Sequence, residues 1–405
     1  YDSLTTINSK RGTYISDAKK YKFENKVVVT NPDFTLTSAR MDFYTETKHA
    51  FFYGATTIIG EDYVVRCREG FYNTDKKEGY FKKNASIDYN NRNIIGDSIY
   101  FNDTQKYASA TQNIRITDTI NNSFITGNYG QVFKEKDSAM VTHRALAINL
   151  VELDSLFIHA DTLIATGPPE QRIIRGFHDV RIFKEDLSGK TDSIHFNQTS
   201  GRAKLIRRPI SDRDLQYLTP QEIADRNPIL WSDESQMTGD EIHLTIDNEK
   251  EVLDSLLIYN NAFVIEQDSL DAANFNQIKG LQLKGKFKGK SLETVDVIQN
   301  TEMVYYLYDD ETQELTGIDK AICSALRLDF VDSGIEKITF FTNPDGVVYP
   351  PKELPENTRQ LLGFTWREDE RIYSKEDLFH GIDLENYSIK VKPGEIKGIP
   401  IELKR

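Results

Sequence analysis

The chain has 405 residues, 28% of them charged, and a formal net charge of −13. That balance disfavours a nucleic-acid partner, which needs a basic face, and simple electrostatic docking to anionic membranes. Hydrophobic content is low at 39%, yet 22 Phe and 20 Tyr exclude a disordered chain and favour strands.

The chain opens at Tyr1 without Met or a signal peptide, which reads as a processed or trimmed protein. No apolar run reaches the length of about eighteen residues that a membrane-spanning helix needs. Cys67 and Cys323 are too few for a disulfide framework and read as free thiols.

From the N-terminus onward a unit recurs. Corner positions fall at Lys26, Ala55, Asn84 and Asn113, each 29 residues after the last. They continue at Ala145, Asp179, Arg208, Asn261, Asn300 and Asn343 with gaps of 32, 34, 29, 53, 39 and 43. Asn and Asp at corners tolerate a left-handed backbone. Five and three residues before a corner, and one and three after it, stand small or apolar side chains. Phe52 with Ala50, Phe81 with Gly79, and Ile114 with Ile116 are examples. That spacing is period two, a strand with one buried face.

An aromatic residue usually lies twelve before the corner, as Phe43 and Phe101 do. Polar turns such as "YTETK", "YNTDK" and "FNDTQ" follow it. Each unit is therefore two strands joined by a tight turn, the second bent at its corner. One such unit cannot bury its apolar face alone, so the units must stack. The expected fold is all-β.

Residues 211–228 interrupt the series. There "TPQEIADRN" predicts a short helix capped by Thr219, with Pro220 at its first position and Glu222 at its third. From residue 350 the repeat stops. A C-terminal extension follows over 350–405, with helix-like pieces at "ENTRQLLGF" and at "SKEDLFHG", the latter capped by Ser374 and ended by Gly381. The tail is expected to cover the end of the stack or to lead to a partner.

Signs of chemistry are sparse. Seven histidines are scattered without metal-ligand spacing, no glycine-rich phosphate loop follows a strand, and no nucleophile elbow occurs. No cofactor and no enzymatic activity are expected. The stretch "LKGKFKGKS" places Lys284, Lys286, Lys288 and Lys290 on one strand face. It is either a basic stripe for an anion or, with the greater weight, an edge strand protected by lysines. Triplets such as Asp97-Ser98-Ile99 resemble O-glycosylation acceptors of Bacteroidota envelope proteins, although turn chemistry explains any single one.

The two-strand repeat resembles the OstA-like fold of the lipopolysaccharide-transport (Lpt) system, a repetitive antiparallel β-jellyroll or β-taco. "NPDFTLTSARMDFYTETKHAFFYGATTIIGED" and "TNPDGVVYPPKELPENTRQLLGFTWREDERIYSKEDL" look like its Bacteroidota branch, and the similarity runs from about Ser9 to Leu378. The repeat then occupies 1–349. The resemblance implies a non-enzymatic periplasmic protein, associated with the outer membrane. It would carry the acyl chains of lipopolysaccharide or lipooligosaccharide along its interior.

Lining residues would be Phe43, Phe52, Ile58, Phe81, Ile87, Phe101, Ile114 and Ile116, then Ile148, Ile182, Phe196, Ile258, Val264 and Val297. Partners would be other Lpt components paired through edge strands, or further copies head to tail. Large aromatics favour an interior filled by its own side chains, whereas Ala85, Ala108 and Ala110 favour space. A β-solenoid adhesin or carbohydrate-binding scaffold is the alternative, with Tyr44, Tyr53 and Tyr100 on the polar face. An outer-membrane barrel is excluded, because the repeats use nearly all of the chain.

Overall fold

A computed structural model describes residues 5–382 except 90, 151–154, 233, 248–251, 290, 310, 332 and 333. It is all-β: long antiparallel strands pair in chain order, with short helical turns at Pro169–Gln171, in the insertion and in the tail. The chain divides into two units, one formed chiefly by residues 1–150 with 161–172, the other chiefly by 173–380.

In the first unit the strands Phe34–Tyr44, His49–Gly60, Tyr63–Asn73, Glu78–Tyr89, Arg92–Asn102 and Tyr107–Asp118 run in register with their neighbours. Alternate strands carry a register shift in mid-course, for instance between Tyr53 and Thr56 and between Lys82 and Ala85. Left-handed residues make these bends: Asn25 with Lys26, Lys83 with Asn84, Gln112 with Asn113, and Gly54. Gly54 is placed where a side chain would collide with the Ala39 methyl. The extra residue breaks the ladder locally and turns the strand.

The bend folds the sheet back on itself. Phe34 begins its strand at one rim, whereas Tyr72 ends its strand at the other. Ten residues of flat strand would hold them ~33 Å apart, yet their ring centroids are 5.9 Å apart. Each strand thus has two limbs, and the two inner faces meet. One rim is formed by the turns after Tyr44, Asn73, Asn102 and Phe133, the other by those after Asn31, Gly60, Tyr89 and Asp118.

The fifth bend is at His143 and Arg144, one residue before the expected Ala145. Consequently Ala145 and Ala147 face inward and are buried, while Leu146 and Ile148 face outward. A one-residue shift exchanges the two faces of a strand.

The second unit repeats the design with longer strands, including Val252–Gln267, Phe275–Lys288, Ser291–Tyr308 and Leu315–Val331. Left-handed pairs recur at His178 with Asp179, Asn260 with Asn261, Gln299 with Asn300, and Thr342 with Asn343. At Arg208 there is no bend. One strand is split into Arg202–Ile206 and Ile229–Ser232, which pair with the two limbs of Leu187–Asn197. The chain leaves at the corner and returns after the insertion. The helix there runs over Pro220–Ala224, with the Thr219–Glu222 capping box formed.

The described part of the tail, 350–382, does not cover an end. It lies across the outer face of the second limb. Phe263, Ile265, Val304, Tyr306 and Ile318 project outward, and Leu354 and Leu361 of the tail complete a cluster with them. Phe364 and Trp366 pack on its margin. "ENTRQLLGF" forms only a short 3₁₀ turn, Glu356–Thr358; Lys375–Phe379 forms another, with Ser374 as its N-cap.

Candidate functional site

The interior of the first unit and its two rims form the candidate site. Phe52, Ile58, Phe81, Ile87, Phe101, Ile114 and Ile116 are brought together there and are buried. The opposed faces fill the space with their own side chains. A Cβ added to Gly130 on one limb would stand 3.3 Å from the Ile114 Cδ1 of the other. Phe43 shares this face but is half-buried at the rim.

In the second unit Ile182, Phe196, Ile258 and Val297 are buried inward, and Val264 is half-buried beside buried Met237 and Ile278. Ile148 stands apart on an outward face. Lys284, Lys286 and Lys288 are exposed on an outer face. Their strand is hydrogen-bonded on both sides, to Val252–Gln267 and to Ser291–Tyr308. Edge protection is therefore not their role. Lys290 lies outside the described residues.

The rims of the first unit are closed by side chains of which the sequence reading singled out Phe101 and not Phe34 or Tyr63. The ring of Phe34 meets Tyr72 edge-on, and Tyr63 meets Phe101 with centroids 4.9 Å apart. Ion pairs run alongside, Lys77 with Asp33 at 2.7 Å and Lys134 with Asp62. Burial pushes the Tyr63 and Tyr72 phenols far above their ordinary values, so both stay neutral.

The third rim position is different. Arg92 replaces the aromatic residue and reaches Asp137 across the mouth at 2.7 Å. Arg172 donates from Nε to Asp118 at 3.0 Å and from Nη1 to the Gly167 carbonyl. For Asp118, burial raises the pKa. Side-chain and backbone hydrogen bonds from Asn121, the charge of Arg172 and the Ile120 N–H outweigh it and hold the carboxyl below its usual range.

The outer face of the first limb carries a continuous aromatic row. Tyr44, Phe51, Phe71, Tyr80, Tyr100, Tyr107 and Phe133 follow one another with centroid separations of 4.9 to 6.1 Å. Tyr53 is exposed beneath the Arg40 guanidinium. Among the described residues no group of His, Cys, Asp and Glu is arranged to hold a metal ion. Both cysteines are free and buried, and burial pushes the Cys67 thiol up to about 11. No helix among them is long and apolar enough to cross a membrane.

No family model and no curated protein sequence matches the chain. Among solved structures it is similar to LptH of Pseudomonas aeruginosa, the LptA-homologous periplasmic component of its lipopolysaccharide transport device. The identity is 14%, the TM-score 0.27, and the match covers 30% of this chain and 85% of that one. A likeness at that level carries no argument about function.

Proposed function

We propose that this chain is a non-enzymatic periplasmic protein that binds and transports lipopolysaccharide or a related glycolipid, with acyl chains held between the two inner faces. The observation that supports the reading is the rim of the first unit. At its first two positions an apolar interior is closed by ring edges and partly exposed ion pairs, not by backbone. Such pairs contribute little in water. Parting the rims exchanges contacts between side chains for contacts with acyl chains, and each lipid methylene buried contributes ~0.8 kcal/mol. The inner faces pack against each other, so lipid entry requires the rims to part.

Phe43, Phe52, Ile58, Phe81, Ile87, Phe101, Ile114 and Ile116 are the proposed lining of this unit. Ile182, Phe196, Ile258, Val264 and Val297 are the proposed lining of the other. Further Lpt components or further copies are the proposed partners, paired along the terminal strand Asp345–Tyr349, which exposes Val347 and Val348.

A photo-crosslinking residue at Phe52 or Ile116 is expected to capture lipopolysaccharide in cells, and the same probe at Arg115, on the outward face, is not. Tying the rims with a short bismaleimide between Asp33→Cys and Lys77→Cys should abolish capture. Equal crosslinking from Arg115 and Ile116, or undiminished capture by the tied protein, would sink the proposal.

The aromatic row favours one second reading, a carbohydrate-binding scaffold, because aligned rings offer stacking surfaces. Binding of a lipid-free glycan that is lost in Tyr80→Ala, with no lipid captured at Phe52, would establish it instead.

A further inference from the structure

The rim positions Phe34, Tyr63 and Arg92 are 29 residues apart and occupy equivalent places in successive units. The first two close the mouth with rings, and the third with a guanidinium. The facing turns change with it. Lys48, Lys77 and Lys106 all adopt a left-handed backbone at one turn position, and Asp137 takes that place in the next unit. The register thus keeps its geometry and reverses its charge at one point.

Arg92 is only 6% exposed and Arg172 only 3%. Two buried guanidinium groups this close disfavour each other's charge, a cost that a structure sustains when an anion is shared between them. The resident carboxylates do not use all of the guanidinium donors. Arg92 binds Asp137 through Nη2, while its Nη1 is buried with no hydrogen-bond partner among the described residues. Asp118 is already engaged by Asn121 and by Arg172. Asp137 already stands between the two, 2.7 Å from Arg92 Nη2 and 3.6 Å from Arg172 Nη1, but its side chain is 40% exposed and is the one that an incoming anion can displace. Lys134, over the Tyr89 ring and paired with Asp62, stands on the same rim.

Position settles the class of ligand. Arg92 and Asp118 continue the inward rows of Ile94 and Ile116 and are register partners of one another. An amphiphile with its chains among those isoleucines would bring its headgroup to these arginines. A phosphate monoester offers three oxygens and up to two charges, which suits a pair of guanidinium forks better than one carboxylate does.

We infer that Arg92 and Arg172 form a phosphate-binding site at the rim, which takes a phosphorylated headgroup by displacing the Asp137 carboxylate from Arg92. The inference rests on the lipid reading for the source of the phosphate.

The test uses the full chain, with diphosphorylated lipid A, the same lipid after phosphatase treatment, and inorganic phosphate alone. The phosphorylated lipid should bind about tenfold more tightly or better, as expected of charge-assisted bonds. Arg92→Gln should remove that difference, so that the two lipids bind with the same affinity. Arg92→Lys, which keeps the charge and removes the fork, should lose part of it. It also serves if the Gln variant fails to fold by circular dichroism. Arg66→Gln, an exposed arginine paired with Asp88, should change nothing. If both lipids bind alike and phosphate leaves Tm unmoved, the phosphate site is wrong and the lipid reading stands. If neither lipid binds, but phosphate raises Tm in the native protein and not in Arg92→Gln, the site stands for free phosphate and the lipid reading fails. No response to any of the three probes overturns both.

Discussion

Ile59 and Ile265 hold equivalent places in the repeat, four residues beyond their corners, both on the outer face of a second limb. Ile59 is 50% exposed and Ile265 is 1% exposed. Around Ile59 the outer face carries Thr35, Thr57 and Val64, and it is open to solvent. Around Ile265 it carries Phe263, Val304 and Tyr306, and the tail covers it. The difference teaches that this repeat fixes only an inner face. Its outer face is free to be polar, or to recruit another part of the chain.

The largest expected effect contrasts those two residues. Ile265→Asp puts an unpaired charge in an apolar layer and should cost about 4 kcal/mol or more, whereas Ile59→Asp should cost less than about 0.5 kcal/mol. Urea denaturation measures both, and equal costs would remove the distinction between the faces.

Next comes the fastening of the tail. Gln277 and Gln236 are each 1% exposed. Gln277 donates to the Arg359 carbonyl and accepts from the Leu361 N–H, both at 2.8 Å. Gln236 does the same with the Thr365 carbonyl and the Arg367 N–H. Gln277→Ala leaves two buried backbone groups without partners and should cost roughly 2–3 kcal/mol. Amide exchange should accelerate at Leu361 and not in the strand His49–Gly60. Uniform acceleration would mean that the tail is not a separate layer.

A smaller effect depends on pH. Burial, with Arg175 and Lys204 beside it, lowers the pKa of His195 from 6.5. The unfolded chain then binds the proton more readily. The stability this residue contributes is present above pH 6.5 and falls as the pH drops through the folded value. His195→Gln should flatten that part of the second unit's stability profile, and an unchanged profile would refute its role. The smallest effect is at the rim, where Lys77→Ala should leave Tm within error because its ion pair with Asp33 is solvent-screened.

Most corners were legible because left-handed bends favour Asn and Asp, and Asn84, Asn113, Asp179, Asn261, Asn300 and Asn343 all make them. Ala145 was misplaced by one. The turn at residues 119–122 is longer than its predecessor, and the apolar run Ala145–Ile148 gives either face an apolar set. The covered face was visible in "AFVI" at 262–265, since an unbroken apolar run marks a strand buried on both sides. The lysine row misled because alternation reveals a solvent-facing side and not whether a strand has neighbours. Arg92 was within reach of the 29-residue register through Phe34 and Tyr63, but its cross-rim partner Asp137 lies 45 residues on, and only folding joins them.

The corners have one more consequence. Most are built from two consecutive left-handed residues with side chains, and each such residue sits in a narrow conformational well. Neighbouring strands are hydrogen-bonded along both limbs, so no strand can change its bend alone. The mouth of the first unit therefore works as a single long hinge and not as a row of separate doors. Its resistance to opening is the sum of every contact along the rim. Under the proposed lipid reading, a ligand that engages Arg92 at one point would ease the whole edge, and recognition of its headgroup and admission of its chains would be a single mechanical event.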